Sequence, residues 1–452
     1  MTLFRRLRSR GPRRVVVVGL DGTPYTFVQW LLRQGLMPNF ARLLDDGDFV
    51  RIHSVYPTVS SVAWSTYMTG VNPARHGIFG FVERKPGSYG KTIPTARFMR
   101  APTLWEILGQ AGRRVAVINV PVTYPPRPVN GLLVAGFLSP SLKKGTYPPE
   151  LAGQLERLGY RVDTDPWKAR QSKDLALQEV NDVFERRSRA MFHLLGTEPW
   201  DFFQCHIMET DRLHHFLWEE MEQGHAAYAP PFFAFYQRID AMLGQLRQRL
   251  DEGTTLVVMS DHGFCTLKKE VYVNRWLMER GWLRLEGGEA ANLNQISADS
   301  VAYSLDPGRI FLNVAGREPR GGVQPGPPYE ALRRQIADAA MELCDPDDGT
   351  PMIARVLRRE EIYHGPLLDR AADLILVPVD GYDLKGALDK TTLTYKGSEL
   401  VGMHTYDDAM LYIQGQQIAP GDWGVIDVMP TVLRLMDVPI PAGLDGRVCL
   451  ER

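Results

Sequence analysis

The sequence predicts an α/β protein whose parallel sheet is covered by helices on both faces. Three observations lead there. Short apolar stretches alternate with helix-length amphipathic ones along most of the chain, the pattern of strand–helix–strand units. Val15, Val16, Val17 and Val18 form an unbroken apolar run, which reads as a strand buried on both faces. Two such strands lead straight into carboxylates, Asp21 after the valines and Asp261 after Thr254–Met259, and open parallel sheets gather their chemistry at strand carboxyl ends.

Taken in order, the elements are these. After the valine strand, Tyr25 to Leu44 reads as two helices broken near Gly35 and Pro38. Arg51 to Val55 is a short strand. Pro57 and Ser60 mark a turn and a helix start, Ala63 to Met68 the helix, and Gly70 its stop. Asn72 to Gly77 is a loop, and the polar, basic stretch Phe81 to Arg100 a surface excursion. Thr103–Gly112, Asp174–Gly196, Asp211–Met221 and Phe232–Leu250 have helical spacing; Arg114–Val120, Gly131–Gly136, Asp201–Met208 and Thr254–Met259 read as strands. From about Lys268 to Gly397 the strands weaken and a breaker-rich loop, Gly321–Pro328, appears. This region is expected to be an inserted lid with one helix at Tyr329–Leu343, although Asp373–Val379 reads again as a core strand. Ala409–Ile413 is a strand and Asp427–Met436 a closing helix. The expected boundaries are a basic tail at 1–13, catalytic core at 14–267, lid at 268–397 and the rest of the core at 398–452.

The totals narrow the function. A chain of 452 residues suffices for a large core, and 44% hydrophobic with 23% charged residues is ordinary globular composition. A formal net charge of -1 provides no nucleic-acid-binding signal. No apolar run is long enough for a transmembrane helix. Cys205, Cys265, Cys344 and Cys449 lie far apart and read as buried thiols of a cytoplasmic protein. The arginine-rich start reads as a solvated tail, with peripheral contact to anionic lipid as the alternative. Oligomeric state is not legible.

The chemistry lies in scattered carboxylates and imidazoles. Asp211 and His215, four apart on a helix, share a face; alone they read as a surface ion pair. Asp261 and His262 are adjacent in a turn after a strand. His404 sits between Met403 and Thr405, before another strand. With Asp21, the set becomes six candidate ligands of a kind that suits zinc, or manganese with more oxygen donors. Six ligands divide into two sites of three, each with open positions, which suits two catalytic metals acting on phosphorus. Ser60, at a helix start, reads in isolation as an N-cap and in this company as a nucleophile favoured by the helix end.

Together, Val18–Gly22, Tyr56–Ser60 with Ala63-Trp64, Asn72-Pro73 with His76–Ile78, Asp211 with His215, Ser260–Gly263, and Gly402 with His404 resemble, in order, the type I phosphodiesterase/nucleotide pyrophosphatase family of the alkaline phosphatase superfamily. The closing stretch Asp427–Thr431, Pro439–Pro441 and Asp445–Arg447 is similar too. The resemblance implies an alkaline-phosphatase-like three-layer αβα sandwich with an inserted lid. It implies that Asp21, Asp261 and His262 bind one divalent metal, that Asp211, His215 and His404 bind the other, and that Ser60 bridges toward both. Ser60 would attack phosphorus and form a covalent phospho-serine, with Ser61 as the fallback nucleophile. The implied activity is hydrolysis of a phosphodiester or pyrophosphate bond in a small phosphorylated substrate.

Two departures stand out. Nucleotide-cleaving members usually carry Thr where this chain has Ser60, and an Asn that helps hold phosphate where it has Phe81. Arg84 or Lys85 is expected to replace that contact, and Arg309 or Arg317 to meet an anionic substrate group. The alternatives are a solvated basic loop for the first pair and structural salt bridges for the second. Ser60 to Trp64 is not the C/S-x-P-x-R motif of sulfatases, which disfavours that chemistry. A phosphoglycerate-mutase-like phosphotransferase on the same metals, and a non-catalytic phospho-ligand-binding protein, remain the competing readings.

Overall fold

A computed structural model describes residues 13–286 and 292–451. Its centre is an eight-stranded sheet. Across the sheet the strands run Gly47–Ile52, Ala409–Gln414, Thr254–Met259, Arg14–Leu20, Phe202–Ile207, Val115–Ile118, Gly131–Val134 and Thr146–Tyr147. The five strands from Thr254–Met259 to Gly131–Val134 pair in parallel. Ala409–Gln414 and Thr146–Tyr147 are antiparallel to their neighbours.

The four valines alternate between two cores. Val16 and Val18 face a layer that includes the helices Tyr25–Arg33, Lys173–Thr197, Glu209–Glu222 and Ala229–Arg249. Val15 and Val17 face Ser60–Thr69, Leu104–Gln110 and Val428–Leu435. A strand buried on both sides gains nothing from alternation of polarity, which is why the run is uniformly apolar. Register then aligns the strand ends: Leu20 pairs with Ile207 and Gly19 with Met259. Asp21, Asp211 and Asp261 therefore all lie just beyond one edge of the sheet.

A third core is organised around an antiparallel sheet in the order Ala302–Leu305, Arg309–Leu312, Leu374–Pro378 and Ile353–Arg358, with the helices Val273–Glu279 and Pro327–Met341. This corrects two expectations. The strand expected at Asp373–Val379 belongs to this sheet and not to the central one. The stretch Phe81–Arg100 is not a surface excursion: Glu83, Tyr89 and Met99 are buried, and Tyr89 packs in the third core. Its polar residues had disguised that anchoring.

The cysteines are free, but only Cys205 and Cys449 are buried; Cys265 is half-buried and Cys344 exposed. The basic tail up to residue 12 lies outside the described residues, while Arg13 and Arg14 pair with Asp437 and Asp251. Among the described residues no helix is long and apolar enough to cross a membrane.

Candidate metal centre

Two triads form at the sheet edge, Asp21–Asp261–His262 and Asp211–His215–His404, each with its candidate ligand atoms within 4.8 Å of one another. Asp21 follows its strand directly. Asp211 and His215 lie on the helix Glu209–Glu222, which starts just after Phe202–Ile207. His404 lies in a short strand, Gly402–Thr405, whose antiparallel partner Gly263–Thr266 follows His262; the register sets His404 opposite Phe264. The rings of His262 and His404 consequently stack with centroids 3.7 Å apart, so the triads adjoin.

The donor set fits divalent cations. Each of the three histidines donates its Nδ1–H to a backbone carbonyl: His215 to Gly402 at 2.9 Å, His262 to Gly263 at 2.9 Å and His404 to Thr58 at 3.2 Å. This tautomer turns every Nε2 lone pair into the centre, the usual outer-shell device of metal-binding histidines. The Nε2 atoms of His215 and His404 then face each other at 3.1 Å without a proton between them. The buried Asp261 Oδ2 has no hydrogen-bond partner. Burial and the nearby Asp21 push the Asp261 carboxyl up to about 8. Opposed lone pairs and crowded carboxylates are relieved by cations between them.

Ser60 is the first residue of the helix Ser60–Thr69. Its hydroxyl donates to Asp21 Oδ1 at 3.0 Å and lies 3.2 Å from His262 Nε2. In its first turn the Val62 amide donates to the Val59 carbonyl at 3.0 Å, whereas the Ser60 and Ser61 amides have no backbone acceptor among the described residues and are available to an anion. Ser61 sits beside it, but its buried Oγ has no partner.

Two residues to which the sequence assigned no role at Asp21 hold it. His206 Nε2 donates to Oδ2 at 2.7 Å, and Trp64 Nε1 donates to the same oxygen at 2.9 Å. Gly19 makes room for this: a Cβ there would meet the Trp64 ring at 2.5 Å. Gly22, at φ +61°, turns the chain where a Cβ would press on His262. The Ala63-Trp64 pair was visible as a motif; its bond to Asp21 depends on packing.

Beside the triads lies a cleft of about 620 Å³, reached by Ser60, Asp211, His215 and His404 and by residues of the third core. None of the four basic residues proposed for substrate lines it. Arg84 pairs with Glu318 at 3.0 Å, and Arg317 with Asp373 at 2.6 Å. Arg309 is buried and donates to the carbonyls of Asp306 and Val82. Lys85 is exposed. These arginines are consumed by the polar groups that the third core must satisfy on burial. The cleft presents Arg170, Arg212 and Lys385 instead.

A family model described as type I phosphodiesterase / nucleotide pyrophosphatase matches residues 15–407. Ectonucleotide pyrophosphatase/phosphodiesterase family member 1 of Mus musculus is 26% identical over 152 residues, which is 31% of this chain and 16% of that relative. The chain thus spans only a small part of that curated relative's length. The solved phosphonoacetate hydrolase from Sinorhizobium meliloti 1021, in complex with phosphonoacetate, is similar with a TM-score of 0.65 and 21% identity, covering 95% of this chain and 96% of that one. Murine ectonucleotide pyrophosphatase/phosphodiesterase 5 is similar with a TM-score of 0.58 and 16% identity, covering 97% and 100%. These structural likenesses show the fold, which is alkaline-phosphatase-like.

Proposed function

Because the chain belongs to the type I phosphodiesterase/nucleotide pyrophosphatase family of the alkaline phosphatase superfamily, we propose that it is a two-metal hydrolase of phosphate esters that works through a covalent phospho-serine. The observation that carries this reading is the Ser60 hydroxyl, set beside Asp21 and His262 and next to a second, adjoining triad.

Asp21, Asp261 and His262 would hold one divalent ion and Asp211, His215 and His404 the other. The mixed carboxylate–imidazole donors favour zinc, with manganese as the alternative. When bound, the ions supply Lewis acidity that lowers the cost of charge building on phosphoryl oxygens. The protein does the rest. Asp21, itself clamped by His206 and Trp64, orients Ser60. The Ser60 and Ser61 amides at the start of Ser60–Thr69 offer N–H groups to the phosphoryl oxygens. The Ser60 oxygen bonds to phosphorus as the bond to the leaving oxygen breaks. Water then displaces Ser60, and two inversions give overall retention. The bond cleaved is a phosphodiester or pyrophosphate. The free thiols support a reducing compartment such as the cytoplasm.

The test is Ser60→Ala assayed on an aryl phosphodiester with zinc and with manganese. Turnover is expected to disappear while metal content and Tm stay at wild-type values. Retained turnover would remove Ser60 as nucleophile. A phospho-serine that decays only when a hydroxyl acceptor is added would turn the reading to a phosphotransferase.

A further inference from the structure

The cleft has an apolar wall that catalysis at phosphorus does not require. Phe81 stands where a phosphate-holding Asn was expected, and its ring stacks on Phe137 with centroids 5.4 Å apart at 26°. Ile93 and Leu138 join the same lining. Both are 43% exposed, and Trp167, next to lining residue Pro166, is 78% exposed. These are three of the five large apolar side chains left exposed among the described residues, so solvent-facing hydrophobicity is concentrated at this mouth. Such concentration marks a binding surface.

Backbone strain falls at the same place. Of the four non-glycine residues in the left-handed region among the described residues, Val122 at φ 61° and Leu138 at φ 70° both line the cleft. A β-branched residue is a steric outlier there, and strain of this kind accumulates at ligand clamps.

Charge gives an independent indication. Arg212 is committed to Asp163 at 2.7 Å and lies over the Phe137 ring at 5.0 Å, and Lys385 is committed to Asp383. Only Arg170, at the exposed rim, has no carboxylate partner among the described residues. Of the five aspartates that line the cleft, Asp163 and Asp383 hold Arg212 and Lys385 and Asp211 belongs to a triad, which leaves Asp306 and Asp380 against Arg170. Beyond the triads a polyphosphate arm would find one free base at the rim facing these two carboxylates, whereas a neutral arm needs no cation.

Resting on the phosphoester hydrolase reading above, we infer that the cleft takes a phosphodiester whose second ester arm is a neutral apolar chain lying along Phe81, Phe137, Ile93 and Leu138, and that it selects against a polyphosphate arm. The experiment compares p-nitrophenyl octyl phosphate, below its critical micelle concentration, with p-nitrophenyl methyl phosphate and with ATP, using metal-loaded protein. The expected kcat/KM for the octyl diester exceeds that for the methyl diester by about tenfold or more, with ATP turned over more slowly than either. Ile93→Ser and Phe81→Ser are expected to lower the octyl-to-methyl ratio by about threefold or more, with Tm checked for folding. Equal rates for the two diesters, a ratio unmoved in folded variants, or preferred cleavage of ATP would overturn the inference. If no ester is turned over, the hydrolase reading fails and the subsite is still decided by titration. Octylphosphonate binding about tenfold tighter than methylphosphonate supports it, and equal binding refutes it.

Discussion

Trp64→Phe isolates the clamp on Asp21. Trp64 is fully buried, and its Nε1–H is one of two donors to Asp21 Oδ2, the other being His206 Nε2. Phenylalanine keeps an aromatic ring beside His206, whose ring centroid lies 4.7 Å from that of Trp64, but gives up the outer indole atoms that sit against Gly19. The lost hydrogen bond to a charged acceptor is worth about 1.5–3 kcal/mol. The smaller ring adds a packing loss of about 1–2 kcal/mol. Outer-shell donors of this kind typically change metal affinity by about 10–100-fold, or about 1.4–2.7 kcal/mol. The weakening should fall on the Asp21–Asp261–His262 triad and leave Asp211–His215–His404 near its wild-type affinity. Competition against a chromogenic chelator should therefore resolve one weakened ion and one unchanged. Trp276→Phe is the control: that indole is buried in the third core and its Nε1 has no partner among the described residues, so it loses packing but no bond to either candidate triad. Two unchanged affinities in Trp64→Phe, or equal weakening at both sites, would refute the argument.

Other consequences are open to measurement. Asp211→Ala should lose one of two bound metals, read by elemental analysis, since His215 and His404 alone leave that site with two ligands; two metals retained would contradict the assignment. Arg187 is buried and holds Glu209 at 2.7 Å, at the start of the helix that carries Asp211. Arg187→Ala should destabilise by about 3–5 kcal/mol in denaturant unfolding, because it strands a buried carboxylate, whereas Arg187→Met with Glu209→Leu should recover much of that loss. His76 is buried and neutral, donating from Nε2 to Thr66 Oγ1 at 3.0 Å and accepting at Nδ1 from the Ile78 amide at 3.2 Å. Burial pushes it down to about 3. Below pH 6.5 the unfolded chain takes up a proton that the folded one refuses. Stability present above that pH should fall as pH drops toward 3, by up to about 1.4 kcal/mol per unit from this residue. A His76→Gln variant as acid-sensitive as wild type would exclude His76 as the source.

The six candidate ligand positions were legible because each sits in a local pattern: a carboxylate or imidazole just after a strand, a pair four apart on a helix, or a His just before a strand. What they form was not local. The triads depend on the register that brings Leu20, Ile207 and Met259 to one edge, and on the pairing of Gly402–Thr405 with Gly263–Thr266. The clamp from His206 and Trp64 depends on rotamers packed in the core. Arg84, Arg309 and Arg317 look alike in sequence whether they meet a substrate or a carboxylate. The third core decided that, by burying Glu318 beside Arg84, Asp373 beside Arg317 and Glu83 beside Arg309.

Sequence by itself determined the alternation of strands and helices, the buried central strand and the chemical types gathered at strand ends. Those are properties of near neighbours along the chain, where backbone periodicity and side-chain polarity act directly. Tertiary structure alone decided which oxygen each donor meets, which cations are already spent, and that Phe81 and Phe137, 56 positions apart, close an apolar wall beside the two candidate triads. Such contacts are set by packing among residues remote in sequence, and no local pattern encodes them.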